Sequence, residues 1–365
     1  MNSTIFDHTN AVDQYTFDST AGAKATLKNH WDTFFTEADV GLLASWGINA
    51  IRIPIGFWAY DNSGTPYIKG ADQYLAKAIG WCRSYGMKVL IDVHGSPGSQ
   101  NGFDNSGHSG RVAWQTGNNM QRTTAILVQV AKKYGTPAYA DVVFGIELTN
   151  EPISWNENKF STTKQWTQNA YKAVKAAATN KNLMIIMHDG FMGPRNWLDV
   201  NTALNGKSTL AASQFWLDVH LYQNQVAADS TLNQKQHIQK ACKWATTDLL
   251  PASSNLPVIV GEFSLATNIC ANPDGSTLAG SVCYIDGCQC SSNVPIEYWK
   301  APLIAATRKF LEAELDTFEA HARGWFMWSY KAPGGWGLKN AVQYGLIGSK
   351  VTERKYPGQC NGKTY

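Results

Sequence analysis

Charge is scarce in this chain. Asp, Glu, Lys and Arg make up 16% of its 365 residues, against roughly 25% in an ordinary soluble domain. The charges are interspersed and sum to a formal +3; no Lys/Arg run or arginine-rich helix occurs, so a nucleic-acid partner is not expected. No stretch approaches the roughly 18 consecutive apolar residues of a membrane span, so neither is a membrane. The phosphate-cradling motifs G-x-G-x-x-G and G-x4-G-K-[ST] are missing as well, which removes the usual nucleotide-binding reading of an α/β chain. The N-terminus shows no basic region followed by an apolar core, so no signal peptide is expected in this stretch.

Aromatic residues, by contrast, reach 12%, with 14 Trp, a balance that suits a large core and a neutral ligand. Seven cysteines are present. Cys270, Cys283, Cys288 and Cys290 lie in a Gly/Ser/Asn/Asp-rich stretch, where disulfides made in an oxidising compartment are the expected use. The C-x4-C-x-C spacing lacks the paired C-x2-C of a zinc site, and no metal is expected. Cys82 falls on a predicted helix and reads as a free buried thiol.

Apolar, β-branched runs alternate with amphipathic stretches, the pattern of a parallel sheet covered by helices. Strands are expected at Asn49–Ile55, Lys88–His94, Val142–Asn150, Leu183–His188, Phe215–Tyr222, Val258–Phe263 and Gly324–Tyr330. Thr36-Glu-Ala-Asp39 resembles a capping box, and Gly47 stops the helix it opens. Further helices are expected at about 72–85, 162–178 and 296–321. No linker or repeat divides the chain, and α/β barrels routinely exceed 250 residues as one unit. Residues 1–365 are therefore read as a single catalytic barrel domain, expected to be monomeric.

Reading the last residues of each strand collects Arg52, His94, Asn150, Glu151, His220, Tyr222, Glu262 and Trp328. Strand ends are where parallel barrels keep their chemistry. Two acids from different strands, among aromatic residues and without a metal motif, are what glycosidic bond cleavage needs. The stretch from Gly95 to Gly107 adds side chains able to bond sugar hydroxyls.

Asn150-Glu151-Pro152, Gly261-Glu262-Phe263, Ile51-Arg52-Ile53-Pro54, Asp92-Val-His94-Gly95, His220-Leu-Tyr222 and Trp328-Ser-Tyr-Lys331 together resemble family 5 glycoside hydrolases. Pro97-Gly-Ser-Gln-Asn-Gly-Phe-Asp-Asn-Ser-Gly107 and Arg52-Ile-Pro-Ile-Gly-Phe-Trp58 are similar to its fungal exo-β-1,3-glucanase branch. The resemblance implies a (β/α)8 barrel and a retaining hydrolase that frees glucose from the non-reducing end of β-1,3-glucan, outside the cell or in the cell wall, with no cofactor. By it Glu151 is the general acid/base and Glu262 the nucleophile, their carboxyl groups about 5–5.5 Å apart. Tyr222 and Arg52 would hold Glu262 charged and oriented. Asn150 would bond the sugar 2-hydroxyl, His94, Asp104, Asn105 and His220 other hydroxyls or the acids, and Trp328 would form the stacking floor. Phe103 would be half of an aromatic clamp at the pocket entrance.

The chain departs from that pattern in three places. The branch opens its barrel on a G-V-N-L-G-G-W strand, whereas the match here begins near Thr4-Ile-Phe6, so strand one is expected to be missing and the chain truncated. The second clamp position holds Gln225, which points to an endo-acting β-1,3- or β-1,6-glucanase as the alternative, with a non-catalytic carbohydrate-binding relic as the other. The region around Cys270 carries extra cysteines. The resemblance implies a Cys242–Cys360 disulfide and leaves the partner of Cys270 open among Cys283, Cys288 and Cys290.

Overall fold

The computed structural model describes residues 3–249 and 255–360. The chain forms two compact units, Met1–Asp218 with Ser253–Pro257, and Val219–Ala252 with Val258–Tyr365.

In the first unit, the Glu37–Ser45 helix starts at the expected capping box, Asp39 accepting from the backbone N–H and the hydroxyl of Thr36 at 2.9 Å each. Gly47, at φ +85°, reverses the chain into β1, Ala50–Gly56. Gly86, at φ +67°, does the same between the Ala71–Ser84 helix and β2, Lys88–Gly95. A side chain with a Cβ is strained at either position, which is why glycine stands there. Then come β3, Val143–Glu147, β4, Met184–His188, and the start of β5, Phe215–Leu221, whose residues from Val219 onward are counted in the second unit. The helices Asn119–Tyr134, Phe160–Ala177 and Leu198–Asn205 separate them. Each strand pairs in parallel with the one before it, with Ile53 opposite Ile91, Asp92 opposite Glu147, Ile146 opposite Ile185 and Met187 opposite Leu217. Leu90, Ile91, Ile146, Ile185 and Leu217 are fully buried, as strands covered on both faces must be.

In the second unit, β6, Val258–Phe263, pairs in parallel with β7, Trp325–Met327. Helices Gln234–Trp244 and Ala301–His321 belong to it, and Phe318 meets the ring of Phe263 edge-on at 5.0 Å. Three two-residue strands, Thr277–Leu278, Cys270–Ala271 and Gln289–Cys290, form a small antiparallel sheet in that order. Cys242 bonds Cys360, Cys270 bonds Cys290 and Cys283 bonds Cys288; Cys82 is free and buried. Burial pushes its thiol up to about 12, which makes it inert. No described helix is long and apolar enough to cross a membrane. The seven parallel strands and their helices are the repeating units of a (β/α) barrel.

Three expected boundaries move by three residues or more. β3 stops at Glu147 rather than Asn150, because Glu151 turns left-handed at φ +45° and the Asn150 carbonyl is taken by a side chain, Gln100. β7 ends at Met327 because Ser329 N–H bonds the Trp336 carbonyl of a following loop instead of a strand. The helix expected from residue 296 starts at Ala301, after a separate turn at Ile296–Tyr298 and an extended Trp299.

Candidate active site

Arg52 lies in the middle of β1, not at its end, so the expectation of a strand-end residue is corrected. Its buried guanidinium bonds Glu147 through two nitrogens, Nε to Oε2 at 2.7 Å and Nη2 to Oε1 at 3.1 Å. The same Nη2 lies 3.1 Å from Asp92 Oδ2 and donates to Asn150 Oδ1 at 2.7 Å. Asp218 is 3.8 Å away. Burial drives the Glu147 carboxyl well above the usual carboxylate range against the pull of Arg52, with Asp92 and Asp218 adding to the rise.

This cluster fixes the groups above it. Because Arg52 takes Asn150 Oδ1, the Asn150 amide nitrogen faces His94 Nε2, 3.4 Å away. His94 Nδ1 then donates to Asp92 Oδ2 at 2.6 Å, which defines the tautomer. Glu151 is buried beyond β3, and its Oε2 accepts from Asn105 Nδ2 at 2.8 Å. Asp104 is exposed at the start of the turn Asp104–Ser106, and Phe103 beside it is 41% exposed. The first unit thus brings together Arg52, His94, Asn150, Glu151 and Asn105, while Asp104 and Phe103 stand on the loop rim.

The second unit builds around Glu262, which is buried in β6. Tyr222 Oη donates to Glu262 Oε2 at 2.7 Å, and His220 Nδ1 lies 3.5 Å from the same oxygen. The Tyr222 ring meets Trp336 at 5.4 Å. Trp328 follows β7, its N–H held by the Phe263 carbonyl at 2.8 Å. Within this unit a cavity of about 340 Å³ is walled by Trp299 and Trp336 with Thr267, Ser291 and Asn224, the mixture of ring faces and hydroxyl partners typical of ligand pockets.

Sequence reasoning missed Asp92, Glu147 and Asp218 as a buried acidic cluster, and Gln100 altogether. Asp92 had a signal. An acid inside an apolar parallel strand demands a cation, and Arg52 is the basic residue of the neighbouring β1.

Parallel β/α units with acids at strand ends define a barrel hydrolase, and the known structures agree on the fold. The chain superposes on the crystal structure of rutinosidase from Aspergillus niger with a TM-score of 0.71, covering 95% of this chain and 93% of that one at 18% identity. Residues 12–299 match the cellulase family, glycosyl hydrolase family 5, and the chain belongs to it. It is 34% identical over 365 residues to a probable glucan 1,3-beta-glucosidase A of Emericella nidulans, covering 96% of this chain and 86% of that one. It is 36% identical over 373 residues to glucan 1,3-beta-glucosidase I/II of Saccharomyces cerevisiae, covering 96% and 80%. The protein is therefore a glycoside hydrolase.

Proposed function

We propose that this chain hydrolyses β-1,3-glucan from the non-reducing end, releasing glucose with retained configuration. Glu262 attacks the anomeric carbon while Glu151 protonates the departing glycosidic oxygen. Glu151 then takes a proton from water, which displaces Glu262 from the glycosyl-enzyme. Asn150 bonds the sugar 2-hydroxyl, Trp328 forms the floor, and His94, Asp104 and His220 bind further hydroxyls. Arg52 acts through Asn150, and Phe103 is one side of the entrance. The chemistry calls for no metal or cofactor.

The observation that carries this reading is the setting of Glu262, whose Oε2 receives Tyr222 at 2.7 Å with His220 at 3.5 Å. A carboxylate gripped through one oxygen is aimed, as a nucleophile must be. The substrate follows the names of the relatives, which align over 96% of the chain. A single catalytic domain is supported by the family match, which runs through both compact units. Action outside the cell or in the cell wall is supported by three disulfides.

Early products from laminarin test the proposal. Glucose alone is expected; oligosaccharides would establish the endo reading, which the exposed Gln225 at the clamp position favours. Glu262→Gly is expected to abolish hydrolysis and to recover turnover with azide as the α-glycosyl azide. Normal hydrolysis by that variant would remove Glu262 from the nucleophile's role.

A further inference from the structure

Glu151 sits at φ +45°, a conformation that only surrounding structure can impose on a glutamate. The chain on either side of it is gripped by one residue. Gln100 Nε2 donates to the Asn150 carbonyl at 2.8 Å, immediately before Glu151, and the Gln100 carbonyl accepts from Ile153 N–H at 3.2 Å, just after it. The second hydrogen of Nε2 goes to the His94 carbonyl at 2.8 Å, and Gln100 Oε1 accepts from Ser96 N–H at 3.0 Å. Asn158 Nδ2 adds a 2.8 Å bond to the Gln100 carbonyl. Gln100 is fully buried, so none of these bonds has water as a substitute.

The loop carrying Gln100 also reaches the carboxyl group. Asn101 Nδ2 donates to Asn105 Oδ1 at 3.1 Å, which turns Asn105 Nδ2 toward Glu151 Oε2 at 2.8 Å. Backbone and carboxyl of Glu151 are therefore both referenced to residues 100–105.

We infer that Gln100 is a positioning residue for proton donation: by tying the Asn150 and His94 carbonyls together, it holds Glu151 in its strained turn and sets where the carboxyl group points. The inference rests on the assignment of Glu151 as the acid. Displacement of a catalytic group by about 1 Å can cost on the order of a hundredfold in rate, and here the cost falls on the step that needs a proton.

Gln100→Met keeps the length of the side chain and removes all three of its hydrogen bonds. Gln100→Glu keeps the acceptor for Ser96 but sets a carboxylate oxygen against the His94 and Asn150 carbonyls. Both are to be measured as kcat/KM on laminaribiose and on 2,4-dinitrophenyl β-glucoside, whose leaving group needs no proton. Active sites are counted by trapping with a 2-fluoro-glucoside, so that a smaller folded fraction does not enter the result. Gln100→Met is expected to lose at least tenfold more on laminaribiose than on the aryl glucoside, and Gln100→Glu at least as much. Equal losses on both substrates, while Glu151→Gln shows the split, would overturn the role of Gln100 alone. No split in Glu151→Gln would overturn it together with the acid assignment.

Discussion

Arg52 and Glu147, 95 residues apart in sequence, form a two-point contact in which neither side chain reaches solvent appreciably. The same guanidinium lies 3.1 Å from Asp92 and 3.8 Å from Asp218, and both of these acids push the Glu147 carboxyl up. Burial, above all, raises the Glu147 carboxyl well above its ordinary value, against the pull of Arg52.

A distinction between two variants follows. Glu147→Gln keeps the volume but turns its amide nitrogen against one Arg52 N–H, and is expected to lower stability by about 1–3 kcal/mol. Glu147→Ala removes the partner and leaves a void, at about 3–5 kcal/mol. Urea unfolding midpoints separate the cases, and a Gln variant as damaged as the Ala variant would show that the contact with Arg52, rather than the filled space, is what the site requires.

The strands were legible because each is a short β-branched apolar run closed by polar residues, and Val258–Phe263 was placed to the residue. The capping box at Thr36 and the stop at Gly47 are local signals of the same kind. Long-range partners were not legible. Nothing near Glu147 in sequence announces Arg52, and nothing near Glu151 announces the bonds from Gln100, 50 residues away, that end β3 early. The pairing of Cys270 with Cys290 was likewise hidden. Loop-closure entropy varies too slowly with length to choose among three nearby cysteines; what decides is the antiparallel register that sets Cys270 opposite Cys290.

Those disulfides differ in what they do for stability. Cys242–Cys360 spans 118 residues and Cys283–Cys288 spans 5. In the chain-entropy account the first restricts the unfolded chain by about 5 kcal/mol and the second by about 2 kcal/mol. Replacing both cysteines of each pair by serine is expected to lower stability by about 2–5 kcal/mol for the first and by about 2 kcal/mol or less for the second. Denaturant titrations of the two double variants decide it; the reverse order would mean that the short bridge stabilises its loop through native contacts instead.

Glu314, set in the Ala301–His321 helix, is fully buried as well. Neither of its carboxyl oxygens has a hydrogen-bond partner among the described residues. Burial raises it well above its ordinary value, so the native state keeps the proton at pH values where the unfolded chain releases it. The native state then binds more protons than the unfolded one, and stability falls as pH rises through that window. Glu314→Met fills a similar space without polar atoms. It is expected to be more stable than the parent by about 1–3 kcal/mol near pH 4, from loss of an unpartnered polar group. Its advantage should then grow by about 1.4 kcal/mol per pH unit until the native carboxyl ionises. Asp18, which burial pushes up to about 6, gives both proteins the same slope over the lower part of that range and cancels in the difference. Unfolding free energies of the pair at several pH values are the measurement. A difference that stays constant from pH 4 to pH 8 would mean that Glu314 is solvated or partnered in solution and that its carboxyl titrates as it does in the unfolded chain.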